Sequence, residues 1–277
     1  MRSRSFLNRT LRDARCVAIA PSPGEIFDRA AEEGERRLDQ SAVELVATSF
    51  IAGFTVVLGI VALGAVHALV EPRFQGLGRI GGALAFGIGL VFLVVGRAEL
   101  FNENFFDPVA AAVDADSWPL RRLLRLWVVT FVFNFAGGVL FAFVFAVEGV
   151  LPAGTPEALA TVGEEAVRRR PLTGFASAIV GGTLVTLLSF LLHAVDSTGS
   201  RILLAYVVGF LLALGPFDHV VVTALHIVFG MLFGAPVGYG PLVRTTVVVT
   251  AGNLVGGLGL GTLTHVVQAL GAKESTG

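Results

Sequence analysis

Charge is what this chain has least of. Only 15% of its 277 residues are Asp, Glu, Lys or Arg, against roughly 25% in soluble globular domains. That shortage excludes a solvated enzyme and a disordered chain. The net charge is −1, so the chain has no basic surplus to hold phosphate, which excludes a nucleic-acid binder. Cysteine is nearly absent, and the single Cys16 rules out a disulfide framework and a Cys-based metal site. Trp and Tyr are scarce as well, two of each beside 22 Phe. What is present is apolar, 54% of residues, together with 34 Gly. So many glycines suit close helix contacts or irregular backbone inside a bilayer. The chain reads as an all-α polytopic membrane protein, with the lipid bilayer as its first partner.

A helix needs about 20 mostly apolar residues to cross lipid. The uncharged runs are 45–70, 80–96, 126–147, 171–195, 202–217, 219–243 and 245–272. Two are short: 80–96 stops before Arg97 and Glu99, and 202–217 stops at Asp218. A simple count gives seven or eight spans, whereas reading both short runs as halves of interrupted helices gives six. Six spans put both termini on one side with 13 of the 20 Lys and Arg, against 6 on the other. The positive-inside rule then makes both termini cytoplasmic, in a cell (inner or plasma) membrane. The expected organisation is a cytoplasmic N-terminal segment over 1–42, a channel domain over 43–270 and a cytoplasmic tail over 271–277. The first segment shows no signal-peptide core. It reads as an amphipathic or solvated helix, or as an arm that docks a partner.

An internal repeat organises the spans. Gly96-x-x-Glu99 recurs as Gly215-x-x-Asp218, and Asn134-x-x-Gly137-Gly138 as Asn253-x-x-Gly256-Gly257, both at an offset of 119. The chain therefore divides into two three-span halves, about 43–147 and 171–270. Because three is odd, the second half is inserted upside down relative to the first. Interruptions fall in the second and fifth helices, at matching places in the two halves. In lipid, non-helical backbone is tolerated only where it is buried in protein or lines a cavity, and paired broken helices in an inverted repeat point to a transport site. Their free N–H groups and dipole ends suit an anion.

His219 is the most informative residue, an ionisable side chain between two apolar runs. It reads as a proton-exchanging group or as a neutral ring bonded to backbone freed by the break. His226, two turns further on, is placed to line the same path. Glu99 and Asp218 are expected to cap the half-helices. Arg97 is expected inside the membrane, paired with one of those carboxylates. Asn134 and Asn253 are expected to tie the breaks to neighbouring helices. Asn102 and Asn104 read as gating groups or as backbone partners. Phe86, Leu90 and Phe101 read as a dry constriction or as lipid-facing residues. No P-loop or nucleophile elbow is present, so neither an ATP-driven pump nor an intramembrane enzyme is expected. No cofactor or metal site is expected either.

These residues carry a family resemblance over about 40–270. Gly96-Arg97-Ala98-Glu99-Leu100-Phe101-Asn102-Glu103-Asn104 resembles the G-x-x-E-L-F-T-x-N loop of the formate/nitrite transporter family. Pro216-Phe217-Asp218-His219 is similar to its G-F-E-H motif, and the two Asn-Gly patterns match its third and sixth spans. The resemblance implies an aquaporin-like six-helix protomer in a homopentamer, with a pore in each protomer for a small monovalent anion such as formate or nitrite. It implies a pore His at His219 and constriction residues at Phe86, Leu90 and Phe101, with Leu100 and Leu212 beside them. Three positions depart from the pattern. The loop Thr is Asn102, the fourth-span pore Asn aligns with Gly182, and Val221-Val222-Thr223 replaces A-N-M. The expected function is passive or proton-coupled transport of that anion. The alternative is a non-transporting sensor or scaffold whose pore has degraded.

Overall fold

The computed structural model describes residues 21–274. Residues 1–20, with Cys16 and five of the arginines assigned to the cytoplasmic side, and residues 275–277 lie outside the described residues. The regular structure among the described residues is helical.

Helix α1, Pro23–Asp39, starts at a capping box. Ser22 Oγ accepts from the Glu25 N–H, and Glu25 Oε2 accepts from the Ser22 N–H at 2.7 Å. This reciprocal pair fixes the first turn. Its apolar face, with Ile26, Phe27, Ala30, Ala31 and Leu38, is buried.

The first half contains α2 (Ala42–Val70), α3 (Gly78–Val95), a 3₁₀ turn at Phe101–Asn104, α4 (Phe106–Asp114) and α5 (Leu120–Phe145). The second contains α7 (Pro171–His193), α8 (Thr198–Leu214), α9 (Val220–Leu232) and α10 (Tyr239–Leu254). Helix α10 continues as a π-helical stretch, Val255–Leu263, into α11, Thr264–Glu274. Between the halves lies α6, Thr155–Arg168, which a search for uncharged runs passes over because it carries Glu157, Glu164, Glu165 and Arg168. Its apolar side, including Ala158, Leu159 and Ala166, is buried.

Among the described residues, five helices are long and apolar enough to cross a membrane: α2, α3, α5, α7 and the continuous Tyr239–Glu274. Helices α8 and α9 are shorter, 17 and 13 residues, and are separated by Gly215–His219, whose two end residues are in extended backbone. At the matching point of the first half, Arg97 takes a positive φ of 53°. That conformation turns the chain out of α3 before α4 begins.

Glycines set how closely the helices approach. A side chain at Gly89 of α3 would lie 2.9 Å from Gly59 Cα on α2. In the first half Gly53 abuts the Asn134 carbonyl and Gly137 abuts that of Phe50; in the second, Gly182 abuts Asn253 and Gly256 abuts Ile179. The last helices of the halves therefore correspond at an offset of 119 and the first helices at 129, because α2 (29 residues) and the loop after it are longer than α7 (23 residues) and its loop. Apolar stripes stay exposed on the outside, such as Ile80, Leu84, Ile88 and Phe92 along α3 and Leu124, Val128 and Val132 along α5. Continuous apolar surface of this size is what lipid or a neighbouring subunit covers.

Candidate functional site

Both breaks are held by the same asparagine geometry. Asn134 Nδ2 donates to the carbonyls of Ser49 (2.8 Å) and Glu99 (2.9 Å), and its Oδ1 accepts from the Phe101 N–H (2.9 Å). Asn253 Nδ2 donates to Ala178 and Asp218, both at 2.8 Å, and its Oδ1 accepts from the Val220 N–H at 2.8 Å. An amide is the one neutral side chain that offers two donors and an acceptor. Each Asn thus satisfies backbone groups that breaking the helix leaves open.

At the second break His219 is the N-cap of α9. It is 2% exposed, and its Nδ1 accepts from the Val221 N–H at 3.2 Å. With Nδ1 accepting, the neutral ring carries its proton on Nε2, which has no partner among the described residues. Asp218 caps no helix. Its carboxylate accepts from Arg169 Nη1 at 2.5 Å and from the Thr223 hydroxyl at 3.0 Å.

His219 lines a cavity of about 420 Å³, together with Phe86, Leu212, Phe217, Arg169 and His226. A second cavity, of about 630 Å³, lies at the first break, against Arg37, Arg97, Glu99, Glu103, His193 and Arg201. The first cavity touches the first half of α3 (Arg79, Gly82, Phe86) and the end of α8 (Leu212, Ala213). The second touches the end of α3 (Leu93 to Val95) and the start of α8 (Thr198, Arg201). The two cavities therefore enter from opposite ends of the same helix pair. Between them Leu90, Val185, Leu188, Val208 and Leu212 form a buried apolar cluster. From Phe86 to Leu93 is seven residues of helix, so this dry section is about 10 Å long.

The first break carries a wider ionic network than the second, where Arg169 pairs with Asp218. Its partners come from α1, which lies across it. Arg36 Nη2 contacts Glu99 Oε1 at 3.2 Å, and Gln40 Nε2 donates to the same oxygen at 3.0 Å. Arg37 reaches Glu99 (3.5 Å), Asp107 (3.4 Å) and Asn104 Oδ1 (3.2 Å). Asp107 also holds His193 Nε2 at 3.0 Å. Burial disfavours the charge on Arg37, yet its facing carboxylates, Glu99 first, raise its pKa. Burial would likewise raise the Glu33 carboxyl, but the hydrogen bond and charge of Arg36 and the charge of Arg37 lower it to about 2.

The structure gathers most of the residues marked from sequence and corrects two readings. His219, Phe86 and Leu212 share the first cavity, as does His226, and Leu90 sits in the apolar section. Leu100 and Phe101 are buried in the main core. Asn102 is fully buried, with neither amide atom partnered among the described residues, while Asn104 is used up by Leu100 and Arg37. Gly182 packs against α10: a side chain there would lie 2.5 Å from the Asn253 carbonyl. Arg97 pairs with neither Glu99 nor Asp218. Its side chain is 71% exposed and lies 3.6 Å from Glu33, because its positive φ turns it toward solvent. The capping expected of Glu99 and Asp218 is done by Asn134, Asn253 and His219. Sequence reading missed Arg36, Arg37 and Asp107, which no local spacing ties to the break. The available signal was the apolar face of α1, which requires something to pack on.

The chain is similar to known proteins over most of its length. The family profile described as Formate/nitrite transporter matches residues 24–267. The inner membrane protein YfdC of Escherichia coli (strain K12) is 24% identical over 236 residues, covering 84% of this chain and 74% of that protein. The solved structure of an FNT family ion channel superimposes with a TM-score of 0.77 at 18% identity, covering 87% of this chain and 98% of that one. A pentameric formate channel with formate bound gives 0.68 at 19% identity, covering 82% and 97%. The fold is that of these helical membrane channels, and the chain belongs to the formate/nitrite transporter family.

Proposed function

We propose that this chain conducts a small monovalent weak-acid anion of the formate or nitrite kind through a path in each protomer. The protomer crosses the membrane six times as two inverted halves, with both termini cytoplasmic, and assembles as a homopentamer in the inner or plasma membrane. The pentameric relative and the exposed apolar stripes support that assembly.

The observation that carries the reading is the free Nε2–H of His219 on the wall of the first cavity. An anion entering past Arg79 and Arg169 meets this donor. Bare charge is costly to move through the apolar section, and the neutral acid is far cheaper. Transit therefore couples to the anion sharing or taking a proton. A second proton on His219 requires the ring to leave the Val221 N–H, because Nδ1 already accepts there. In the resting geometry His219 is a fixed donor that aligns the anion, and protonation comes from water or from another acid.

Uptake by proteoliposomes of formate, nitrite, acetate, lactate, hydrosulfide and chloride tests this. Flux of one or more of the weak acids, with chloride excluded, is the expected result. Flux of none of them refutes it and favours a non-transporting scaffold.

A further inference from the structure

The first break holds more buried carboxylate than its cations can match. Glu99, Glu103 and Asp107 are each at least 95% buried. Arg37 contacts Glu99 and Asp107, Arg36 adds a second contact to Glu99, and His193 adds one to Asp107. Glu103 has no place in these pairs. Arg37 and the Ser189 hydroxyl reach only its backbone carbonyl, at 3.1 and 3.2 Å. Its Oε1 is buried without a partner among the described residues, while the residue lines the 630 Å³ cavity. The groups around it are Glu33, Arg36 and Arg37 from α1, Arg97 and Glu99 from the break, Asp107 from α4, His193 from α7 and Arg201 from α8. A charged carboxylate oxygen buried without a hydrogen bond is costly, and the neutral acid lowers that cost.

We propose that Glu103 stands as a neutral carboxylic acid and is the proton-exchanging group at the cytoplasmic end of the pathway, where it protonates an incoming weak-acid monoanion. This rests on the transport reading above. Arg29, Arg97 and Arg201 on the cavity wall draw the anion in. The O–H bond of Glu103 then breaks as an O–H bond forms on the anion. The neutral acid continues into the apolar section, and Glu103 regains its proton from cavity water. The two ends of the path thus differ: a fixed imidazole donor at one and an exchangeable acid at the other.

The test has two arms. In the infrared spectrum of purified wild-type protein at neutral pH, a protonated-carboxyl band is expected that disappears in Glu103→Gln and persists, shifted, in Glu103→Asp. Absence of the band in wild type, or its survival in Glu103→Gln, overturns the proposal. In proteoliposomes with the pH of the opposite side fixed, wild-type flux rises as the cytoplasmic-side pH falls. The rise is about tenfold per unit above the titration of the acid. Glu103→Gln should lose that dependence, Glu103→Asp should keep it, and both should retain the dependence on the opposite-side pH. An unchanged cytoplasmic-side dependence in Glu103→Gln overturns the proposal while leaving the transport reading intact. A wild type without flux refutes the transport reading, and the role of Glu103 in it, while the band still decides its protonation.

Discussion

Asn134 and Asn253 stand 119 residues apart and make the same three hydrogen bonds, each joining the first helix of its half to both sides of a break. The equivalence extends to the glycines that let those helices touch, Gly53 with Gly137 and Gly182 with Gly256. Two irregular backbones are held alike, and only the side chains displayed on them differ.

Removing either amide strands three buried backbone groups. Asn134→Ala and Asn253→Ala should each cost about 2–5 kcal/mol, at roughly 1–3 per orphaned group with partial relaxation. Thermal unfolding in detergent measures this. Similar losses in the two variants are expected, and a loss in only one would contradict the equivalence of the breaks.

Gly182 separates two accounts of the fourth span. As a helix contact it has no room for a larger side chain, and Gly182→Asn should reduce the yield of assembled protein sharply. Normal assembly with altered selectivity would instead mark it as a lining position. Size-exclusion profiles and flux distinguish the outcomes.

Helix α1 is tied to the first break by charge. Arg37→Met leaves Glu99 and Asp107 without their shared cation and should destabilise the docked helix by about 3–5 kcal/mol, the usual effect of breaking a buried pair. Hydrogen exchange across 23–39 should rise throughout, whereas protection unchanged from wild type would show that apolar contacts alone hold α1.

Glu33 gives that docking an acid limit. Its carboxyl sits at about 2 in the fold, against about 4.3 when free. A lowered pKa stabilises the docked state above the free value, so docking is at full strength above about pH 4.3 and weakens as pH falls toward 2, by on the order of 3 kcal/mol. Exchange of α1 followed down this range should accelerate in wild type and show a flatter profile in Glu33→Gln.

Much of this architecture is legible in the sequence, because lipid imposes a strong code. Uncharged runs mark the long helices, and the repeat of Asn134 at Asn253 marks the breaks and their shared clamp. His219 stands out because an ionisable residue between apolar runs has few bland explanations. The rest depends on distance in space. Arg37 lies 62 residues before Glu99, and no periodicity announces that α1 covers the break. At Gly182, a glycine required by a helix contact and one replacing a lining side chain look alike in a string. Helix α6 hid behind its charges, which face out while Leu159 faces in.

The central claim is that the Nε2–H of His219 aligns a weak-acid anion at the entrance to the apolar section. The most direct measurement is formate uptake by proteoliposomes containing wild type, His219→Phe or His219→Asn, each checked for assembly. The account predicts a loss of at least about tenfold for Phe, the effect of removing a hydrogen bond to a charged group, and substantial recovery for Asn, which restores a donor that does not titrate. Wild-type flux in the Phe variant would contradict the role of His219, and a complete loss in the Asn variant would contradict its action as a fixed donor.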